Sequence, residues 1–99
     1  MKNMPEGPLS GIRVIDFTTI VSGPVATMMM ADQGADVIKV EPPGGEQLRQ
    51  LGTPQPGGMT GIFLSCNRSK RSICLNLKSK EGQKIAYKLI GTADVVVQN

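Results

Sequence analysis

The alternation of apolar and polar residues along the chain predicts four strands and two helices. Short runs rich in β-branched residues are typical of buried strands, and strict alternation indicates a strand with two different faces. The strand-like runs lie at residues 13–17, 36–40, 72–77 and 95–97. Helical apolar patterns lie between the paired strands, over residues 23–34 and 80–90. The order β-α-β, long loop, β-α-β predicts a doubly wound α/β fold with a mainly parallel sheet.

The two predicted helices have recognisable ends. Gly23 and Pro24 open the first helix, because proline in a first turn lacks only an N–H that the helix does not use. Ser79 can cap the second helix, and Gly91 follows its last apolar residue. The three consecutive methionines at 28–30 are interpreted as packing residues of a helix buried on more than one side, rather than as a flexible binding surface.

The same periodicity selects a candidate core from both helices and all four strands. The residues expected to be mostly buried are Val14, Ile15, Val25, Met28, Met29, Val37, Ile38, Val40, Ile73, Leu75, Ile85, Leu89, Val95 and Val96.

The remaining segments indicate how residues 1–99 are organised as a single unit. Residues 1–11 are expected to be an extended lead-in anchored by Leu9, since they are rich in proline and glycine. Residues 42–61 form a long Gly/Pro loop, and loops of that length in compact domains usually have a binding or assembly role. Residues 61–66 are ambiguous between a strand and a helical turn, and we favour the turn.

Composition excludes several classes of protein. The chain has no long apolar run and no apolar signal-peptide core in its first ten residues, so a cytoplasmic protein without a membrane partner is expected. It has no histidine, and Cys66 and Cys74 lack the close spacing of a metal site, so no metal is expected. Both cysteines are interpreted as reduced, buried apolar residues rather than as a disulfide.

Charge suggests an anion site in one part of the chain. The net charge is only +3, yet basic residues cluster at Arg68, Lys70, Arg71, Lys78, Lys80, Lys84 and Lys88. The cluster is either a solvated face or a site for a phosphate-bearing ligand. The three aromatic residues are scattered and offer no stacking platform, so nucleic acid is not the expected partner.

The first places to look for function are the turns after the first two strands, because ligands of parallel sheets bind beyond the carboxyl ends of strands. Gly23 at a helix start and Glu41 closing the second strand weakly resemble a dinucleotide site, but the three-glycine fingerprint is absent. Asp16, near the end of the first strand, is interpreted as a carboxylate bonded to turn amides rather than as a catalytic group. No nucleophile–base arrangement is recognisable.

Four ordered motifs resemble the start of the family III CoA-transferases. This family includes formyl-CoA, carnitine and succinyl-CoA-dependent transferases and the related α-methylacyl-CoA racemases. The similar motifs are Asp16-Phe17-Thr18 followed by Ser22-Gly23-Pro24, residues 34–45, residues 67–73 with 75–78, and Glu81-Gly82 followed by residues 93–99. The resemblance runs from Leu9 to the end of the chain.

The resemblance implies a Rossmann-like, N-terminal CoA-binding portion of a longer enzyme that forms an interlocked homodimer. Such an enzyme transfers CoA between an acyl-CoA and a small carboxylic acid. It implies CoA contacts at Val21, Ser22, Leu75, Asn76, Leu77, Lys78 and Asn99, and Lys78 or Arg71 could meet the phosphates of CoA.

The resemblance also implies what the chain lacks. The family's catalytic aspartate lies downstream of such a segment, so none of Asp16, Asp32, Asp36 or Asp94 is assigned that role. Pro42 stands where some members have a CoA-contacting arginine. Two alternatives stay open: a fragment of a racemase of the same superfamily, and a binding or dimerisation module without catalytic activity.

Overall fold

A sheet of four parallel strands lies at the centre of the computed structural model, which describes residues 6–55 and 59–99. In chain order the elements are β1 (Arg13–Asp16), α1 (Ser22–Asp32), β2 (Asp36–Glu41), a 3₁₀ helix (Gln47–Gln50), β3 (Pro54–Gln55), β4 (Met59–Thr60), α2 (Gly61–Asn67), β5 (Arg71–Cys74), α3 (Lys80–Gly91) and β6 (Val95–Val97).

The strands of the main sheet lie in the order β5-β2-β1-β6. Ile15 of β1 pairs with Ile38 of β2 on one side and with Val96 of β6 on the other. The chain therefore starts in the middle of the sheet, moves outward to β5, and returns to the other side of β1. The order reverses between β1 and β6, and ligands of doubly wound sheets bind beside such a reversal.

The two faces of the sheet carry separate hydrophobic clusters. Val14 and Val37 pack with residues of α1 and its C-terminal turn, whereas Ile15 and Ile38 pack with Leu75 and Ala86 of the α3 side. Adjacent strand residues point to opposite faces, so one short strand supplies both clusters. The helices α1 and α3 cover opposite faces, which confirms the predicted doubly wound α/β fold.

Three of the predicted core residues are exposed in the structure. Met29 is 56% exposed on the outer side of α1, Ile85 is 43% exposed on α3, and Val96 is 46% exposed in the edge strand β6. Each is apolar and lies in the predicted element, but no described element covers it. The prediction that these three residues are mostly buried is wrong for that reason.

The connection between β2 and β5 is more ordered than a loop. It contains the 3₁₀ helix and the antiparallel strands β3 and β4, and then α2, which confirms the helical interpretation of residues 61–66. Leu48, Phe63 and Cys66 form a third cluster, against which Ile20 and Val25 pack. Residues 56–58 of the predicted loop, and residues 1–5 of the predicted lead-in, lie outside the described residues.

The described part of the lead-in forms turns rather than an extended strand. Ser10 donates its N–H to the Gly7 carbonyl, and Leu9 donates its N–H to the Gln33 carbonyl at 2.9 Å. Leu9 also packs against the α1-side cluster, as expected of an anchor. None of the helices in residues 6–55 and 59–99 is long and apolar enough to cross a membrane.

The strand β5 ends at Cys74, three residues earlier than the predicted strand 72–77. Leu75 still donates its N–H to the Glu41 carbonyl at 2.9 Å, but Asn76 then accepts the N–H of Lys78 on its side-chain oxygen at 3.0 Å. An asparagine that bonds the backbone two residues on favours a turn over a continuing strand.

We expect Ile38→Ala to destabilise the protein by about 2 to 5 kcal/mol, because Ile38 is 8% exposed in a central strand and its removal leaves a cavity. Val96→Ala is the matched control in the edge strand and should cost less than about 1 kcal/mol. Denaturant unfolding of the two variants measures both effects. Equal losses of unfolding free energy would show that β2 is not central to stability.

Candidate functional site

A cavity of about 670 Å³ opens at the carboxyl edge of the sheet. Residues that follow each of the four parallel strands contribute to its wall. The lining residues are Phe17, Thr19, Val40, Pro42, Pro43, Leu75, Asn76, Leu77, Lys78 and Gln98. Its position beside the β1–β6 reversal is where the fold predicts a ligand.

The predicted segment Leu75, Asn76, Leu77 and Lys78 lines this cavity along its whole length. The segment is held from behind by α3: Gln83 donates its side-chain N–H to the Leu77 carbonyl at 2.9 Å. A Cβ atom on Gly82 would lie 1.9 Å from the Asn76 carbonyl oxygen, so only glycine allows this close approach. The cavity wall after β5 is therefore fixed by the start of α3.

The other predicted contacts lie next to the cavity rather than in its wall. The Asn99 side chain accepts the Thr19 N–H and donates to the Thr19 carbonyl, both at 3.0 Å, so it holds a lining residue in place. Val21 and Ser22 are exposed at the start of α1, directly after the same turn. The structure therefore groups all predicted contacts except Arg71 at the carboxyl edge.

Arg71 lies at the opposite edge of the sheet. It is the first residue of β5, and its guanidinium binds both carboxylate oxygens of Asp36 at 3.0 and 2.7 Å. Arg68 is paired with Asp32 at 2.7 Å, and Lys70 with Asp16 at 2.9 Å. Arg68, Lys70 and Arg71 of the basic cluster are therefore held in separate ion pairs, and the structure does not bring Arg71 and Lys78 together.

Asp16 is fully buried and is bonded on both carboxylate oxygens. It accepts the Thr18 N–H at 2.8 Å, the Thr27 hydroxyl at 2.7 Å and the Lys70 ammonium at 2.9 Å, as well as the Thr18 hydroxyl. Burial would raise the pKa of Asp16, but the hydrogen bonds from Thr18, Lys70 and Thr27 outweigh it and lower that pKa. As predicted, Asp16 accepts a turn amide, the Thr18 N–H.

A second buried pair joins the strand β2 to the loop that follows it. The Lys39 ammonium lies 3.3 Å from a Glu46 carboxylate oxygen, and both side chains are 1% exposed. Lys39 also donates to the Thr18 carbonyl at 3.1 Å, and Glu46 accepts the Ile20 N–H at 3.2 Å. Both ends of the pair therefore contact the turn after β1.

A third ion pair, Glu41 with Arg49, lies at the carboxyl end of β2. Glu41 accepts two hydrogen bonds from the Arg49 guanidinium at 2.7 and 2.9 Å, the Glu46 N–H at 2.9 Å, and the Ser72 hydroxyl. Burial would raise the pKa of Glu41, but these bonds, with Arg49 contributing most, lower it to about 2. These bonds use both carboxylate oxygens of Glu41. A dinucleotide site would need Glu41 to bind a ribose, so that interpretation is not supported.

The cysteines differ in environment. Both are free thiols, as expected, but only Cys66 is buried, whereas Cys74 is exposed at the end of β5. The prediction that both are buried is wrong for Cys74, because no described element covers this end of the edge strand.

The sequence model of CoA-transferase family III matches residues 9–99. The chain belongs to this family. The human succinyl-CoA:glutarate CoA-transferase is 45% identical over 93 residues, which is 93% of this chain and 21% of the human protein. The succinate–glutarate CoA-transferase of Agrobacterium fabrum is 47% identical over an alignment that covers 100% of this chain and 27% of that protein. The chain thus spans about a fifth to a quarter of the length of these relatives.

Solved structures of the family share the fold. A crystal structure of the Mycobacterium tuberculosis protein Rv3272 superposes with a TM-score of 0.83 at 44% identity, over 93% of this chain and 25% of that one. A CAIB/BAIF family protein from Brucella suis gives a TM-score of 0.90 at 38% identity, over 96% of this chain and 26% of that one. The resemblance of the sequence motifs to family III is confirmed.

We expect Glu41→Gln to flatten the loss of stability in acid. The folded pKa of Glu41, about 2, lies below its ordinary value of 4.5, so its ionised form stabilises the fold above pH 4.5 and this contribution is lost as the pH falls to about 2. Urea unfolding between pH 7 and 2 measures the effect. Glu6→Gln, an exposed residue before the first turn, is the control and should follow the unchanged protein. An unaltered pH dependence in Glu41→Gln would contradict the assignment.

Proposed function

We propose that this chain forms the CoA-binding portion of an enzyme that transfers CoA between an acyl-CoA and a small carboxylic acid. Membership of CoA-transferase family III supports this, as do the relatives named for succinyl-CoA and glutarate. The observation that carries the proposal is the cavity at the carboxyl edge of the sheet, whose wall contains the whole segment Leu75 to Lys78.

The chemistry of the cavity suits a ligand with long uncharged portions and terminal phosphates. Phe17, Val40 and Leu75 provide apolar walls, and about 670 Å³ lies within the usual range of roughly 300 to 1,000 Å³ for small-molecule sites. Lys78 is exposed and is the charged residue among those that line the cavity. A lysine ammonium at the rim can meet a phosphate as a point charge.

The phosphate contact proposed here differs from the one expected from the sequence. Arg71 is bound to Asp36 at the amino edge of β5, so Lys78 takes the role without it. Val21, Ser22 and Asn99 are proposed as contacts from the neighbouring turn, because Asn99 fixes the backbone of Thr19 and the turn continues directly into α1.

The chain provides residues that bind CoA, but it does not provide the carboxylate that reacts with the thioester. Asp16 is buried, Asp32 binds Arg68, Asp36 binds Arg13 and Arg71, and Asp94 accepts the Arg13 N–H at 2.9 Å. None of these residues lines the cavity. Transfer of CoA between acids needs a carboxylate that attacks the thioester, and a bound substrate without such a nucleophile gives only occupancy.

We also propose that the working enzyme is a cytoplasmic homodimer. Large apolar side chains are exposed on several described elements, among them Leu51, Ile62 and Leu64, which are 47%, 40% and 47% exposed. An exposed apolar patch is typical of surfaces that another part of a protein or a second subunit covers, and Ile62 and Leu64 are both exposed on the short helix α2.

We expect Lys78→Ala to weaken CoA binding by about 1 to 2 kcal/mol, which corresponds to roughly a 5- to 30-fold rise in Kd. The lost interaction is the charge-assisted contact with a phosphate. Isothermal titration calorimetry measures the change in the Kd for CoA, with the protein expressed from its natural gene.

Two control variants make this result specific. Lys84→Ala removes an equally positive, exposed residue of α3 that does not line the cavity, and Arg71→Ala removes the arginine at the opposite edge. Both should bind CoA as the unchanged protein does. If Lys78→Ala binds CoA with the same Kd as the unchanged protein, Lys78 is only a solvated surface residue. If Arg71→Ala binds CoA more weakly, both Lys78 and Arg71 contact the phosphates, as the sequence suggested.

We expect the 99-residue chain alone to catalyse no exchange of label between a free carboxylic acid and its acyl-CoA. Its four aspartates are held in structural contacts, so none is free to attack a thioester. Incubation with labelled succinate and succinyl-CoA, compared with a protein-free control, tests this. Exchange that disappears when one of these four aspartates is changed to asparagine would overturn the assignment.

A further inference from the structure

We propose that the buried Lys39–Glu46 pair is a positioning element for CoA: it holds the turn after β1, residues 18–21, in the conformation that binds. This inference rests on the proposed function, because the bound molecule is taken to be CoA. The backbone of the turn and the contacts of the two side chains support it.

The turn contains a strained residue. Ile20 has a φ of 68°, in the left-handed region that β-branched residues rarely enter. Such a conformation is strained and persists only where the surroundings hold it. The strain lies between Thr19, which lines the cavity, and Val21, which begins the proposed contact with CoA.

The ion pair supplies the contacts that hold this turn. Glu46 accepts the N–H of Ile20 itself at 3.2 Å, and Lys39 donates to the carbonyl of Thr18 at 3.1 Å. The two groups attract each other across 3.3 Å with both side chains 1% exposed. The Lys39–Glu46 pair therefore bonds the backbone on both sides of Thr19, at Thr18 and at Ile20.

The same pair fixes the opposite wall of the cavity. Glu46 follows the loop that contains Pro42 and Pro43, both of which line the cavity. Its N–H is bonded to Glu41 at 2.9 Å, and its second carboxylate oxygen accepts the Leu48 N–H. Gly45, with a φ of 90°, allows the sharp turn that leads to Glu46, and a Cβ atom there would lie 2.8 Å from Arg49. The buried Lys39–Glu46 pair therefore contacts the segments that form two walls of the cavity.

A contribution to the stability of the fold does not by itself explain why a buried ion pair stands at these two positions. Buried ion pairs are often replaced by apolar residues of similar volume with no loss of stability, because desolvation offsets their attraction. An apolar replacement would fill the space, but it could bond neither the Ile20 N–H nor the Thr18 carbonyl. The contribution of the pair is therefore the shape of the turn.

The test is the double variant Lys39→Met/Glu46→Leu, made in the protein expressed from its natural gene. It removes both charges while keeping most of the volume, so it should fold, with a thermal midpoint lowered by the loss of the bonds to the Ile20 N–H, the Leu48 N–H and the Thr18 carbonyl. Its Kd for CoA, measured by calorimetry well below the midpoint, should rise at least tenfold, because the turn is no longer held. A role in stability alone would not move the affinity of the folded protein.

Val37→Ala is the matched control for general weakening of the core. Val37 is 1% exposed, packs with Val14, Ala31 and Ala35, and does not line the cavity. This variant should lower the thermal midpoint and leave the Kd for CoA unchanged. A parallel loss of affinity in Val37→Ala would overturn the inference, since any loss of stability would then suffice.

A more conservative variant covers the case in which Lys39→Met/Glu46→Leu does not fold. Lys39→Met/Glu46→Gln leaves no buried charge unpaired, keeps one oxygen acceptor for the Ile20 N–H, and loses both the ion pair and the bond to the Thr18 carbonyl. It should raise the Kd several-fold and accelerate amide hydrogen exchange at Ile20. Unchanged affinity and unchanged exchange would overturn the inference.

The two levels of the proposal can fail separately. If Lys78→Ala weakens binding but neither variant at Glu46 does, the site stands and the positioning role is wrong. If the unchanged protein does not bind CoA at all, the proposed function is overturned and this inference with it.

Discussion

The fold depends on the neutralisation of charges that lie out of water at the carboxyl end of the sheet. Asp16, Glu41 and Glu46 are each within 5% of full burial and each is paired with a cation, Lys70, Arg49 and Lys39 respectively. The effective cost of removing an ion from water is several kcal/mol, so each group is tolerated only because its partner and its hydrogen bonds are in place. The described residues show no buried side-chain polar atom without a hydrogen-bond partner.

These pairs connect segments that are distant in sequence, and this determines what they do to the fold. Asp16 and Lys70 tie β1 to the segment before β5, and Lys70 also donates to Asn67 at the end of α2. Lys39 and Glu46 tie the turn after β1 to the loop after β2. The hydrophobic clusters stack the helices on the sheet, whereas the ion pairs set the positions of the turns between them. Thr19, Pro42 and Pro43 of those turns line the cavity, so the pairs contribute to its shape alongside the core residues Val40 and Leu75.

The sequence predicts the parts of this structure that depend on local patterns. The runs predicted at residues 13–17, 36–40 and 95–97 are rich in β-branched residues, and the strands Arg13–Asp16, Asp36–Glu41 and Val95–Val97 lie there because buried parallel strands favour that composition. The segment Leu75 to Lys78 lies in the cavity because residues after parallel strands share one edge of the sheet. The strands follow from the residue pattern alone, whereas the assignment of Leu75 to Lys78 as contacts follows from the resemblance to family III.

The features that the sequence does not predict depend on contacts between distant segments. Arg71 is adjacent to Lys70 in the basic cluster, but its partner Asp36 is on another strand and is recognised only once the register of β2 and β5 is known. Lys39 stands in an apolar strand, which could have signalled burial, yet its partner Glu46 follows a glycine turn. Met29 and Val96 fit the apolar pattern, but their burial depends on what lies against them.

The balance of the buried charges also matters for the ligand proposed here. CoA is an anion, and carboxylates beneath its site would repel its phosphates if they were not neutralised. Each of Asp16, Glu41 and Glu46 is matched by a cation within 3.3 Å, so the buried charges sum to zero and Lys78 acts on the ligand without opposition from them. At physiological ionic strength the field of a charge is screened over roughly 8 Å in water and less strongly inside protein. Loss of one buried cation would therefore leave a negative charge close to the site, and it would weaken both the folded state and its attraction for CoA.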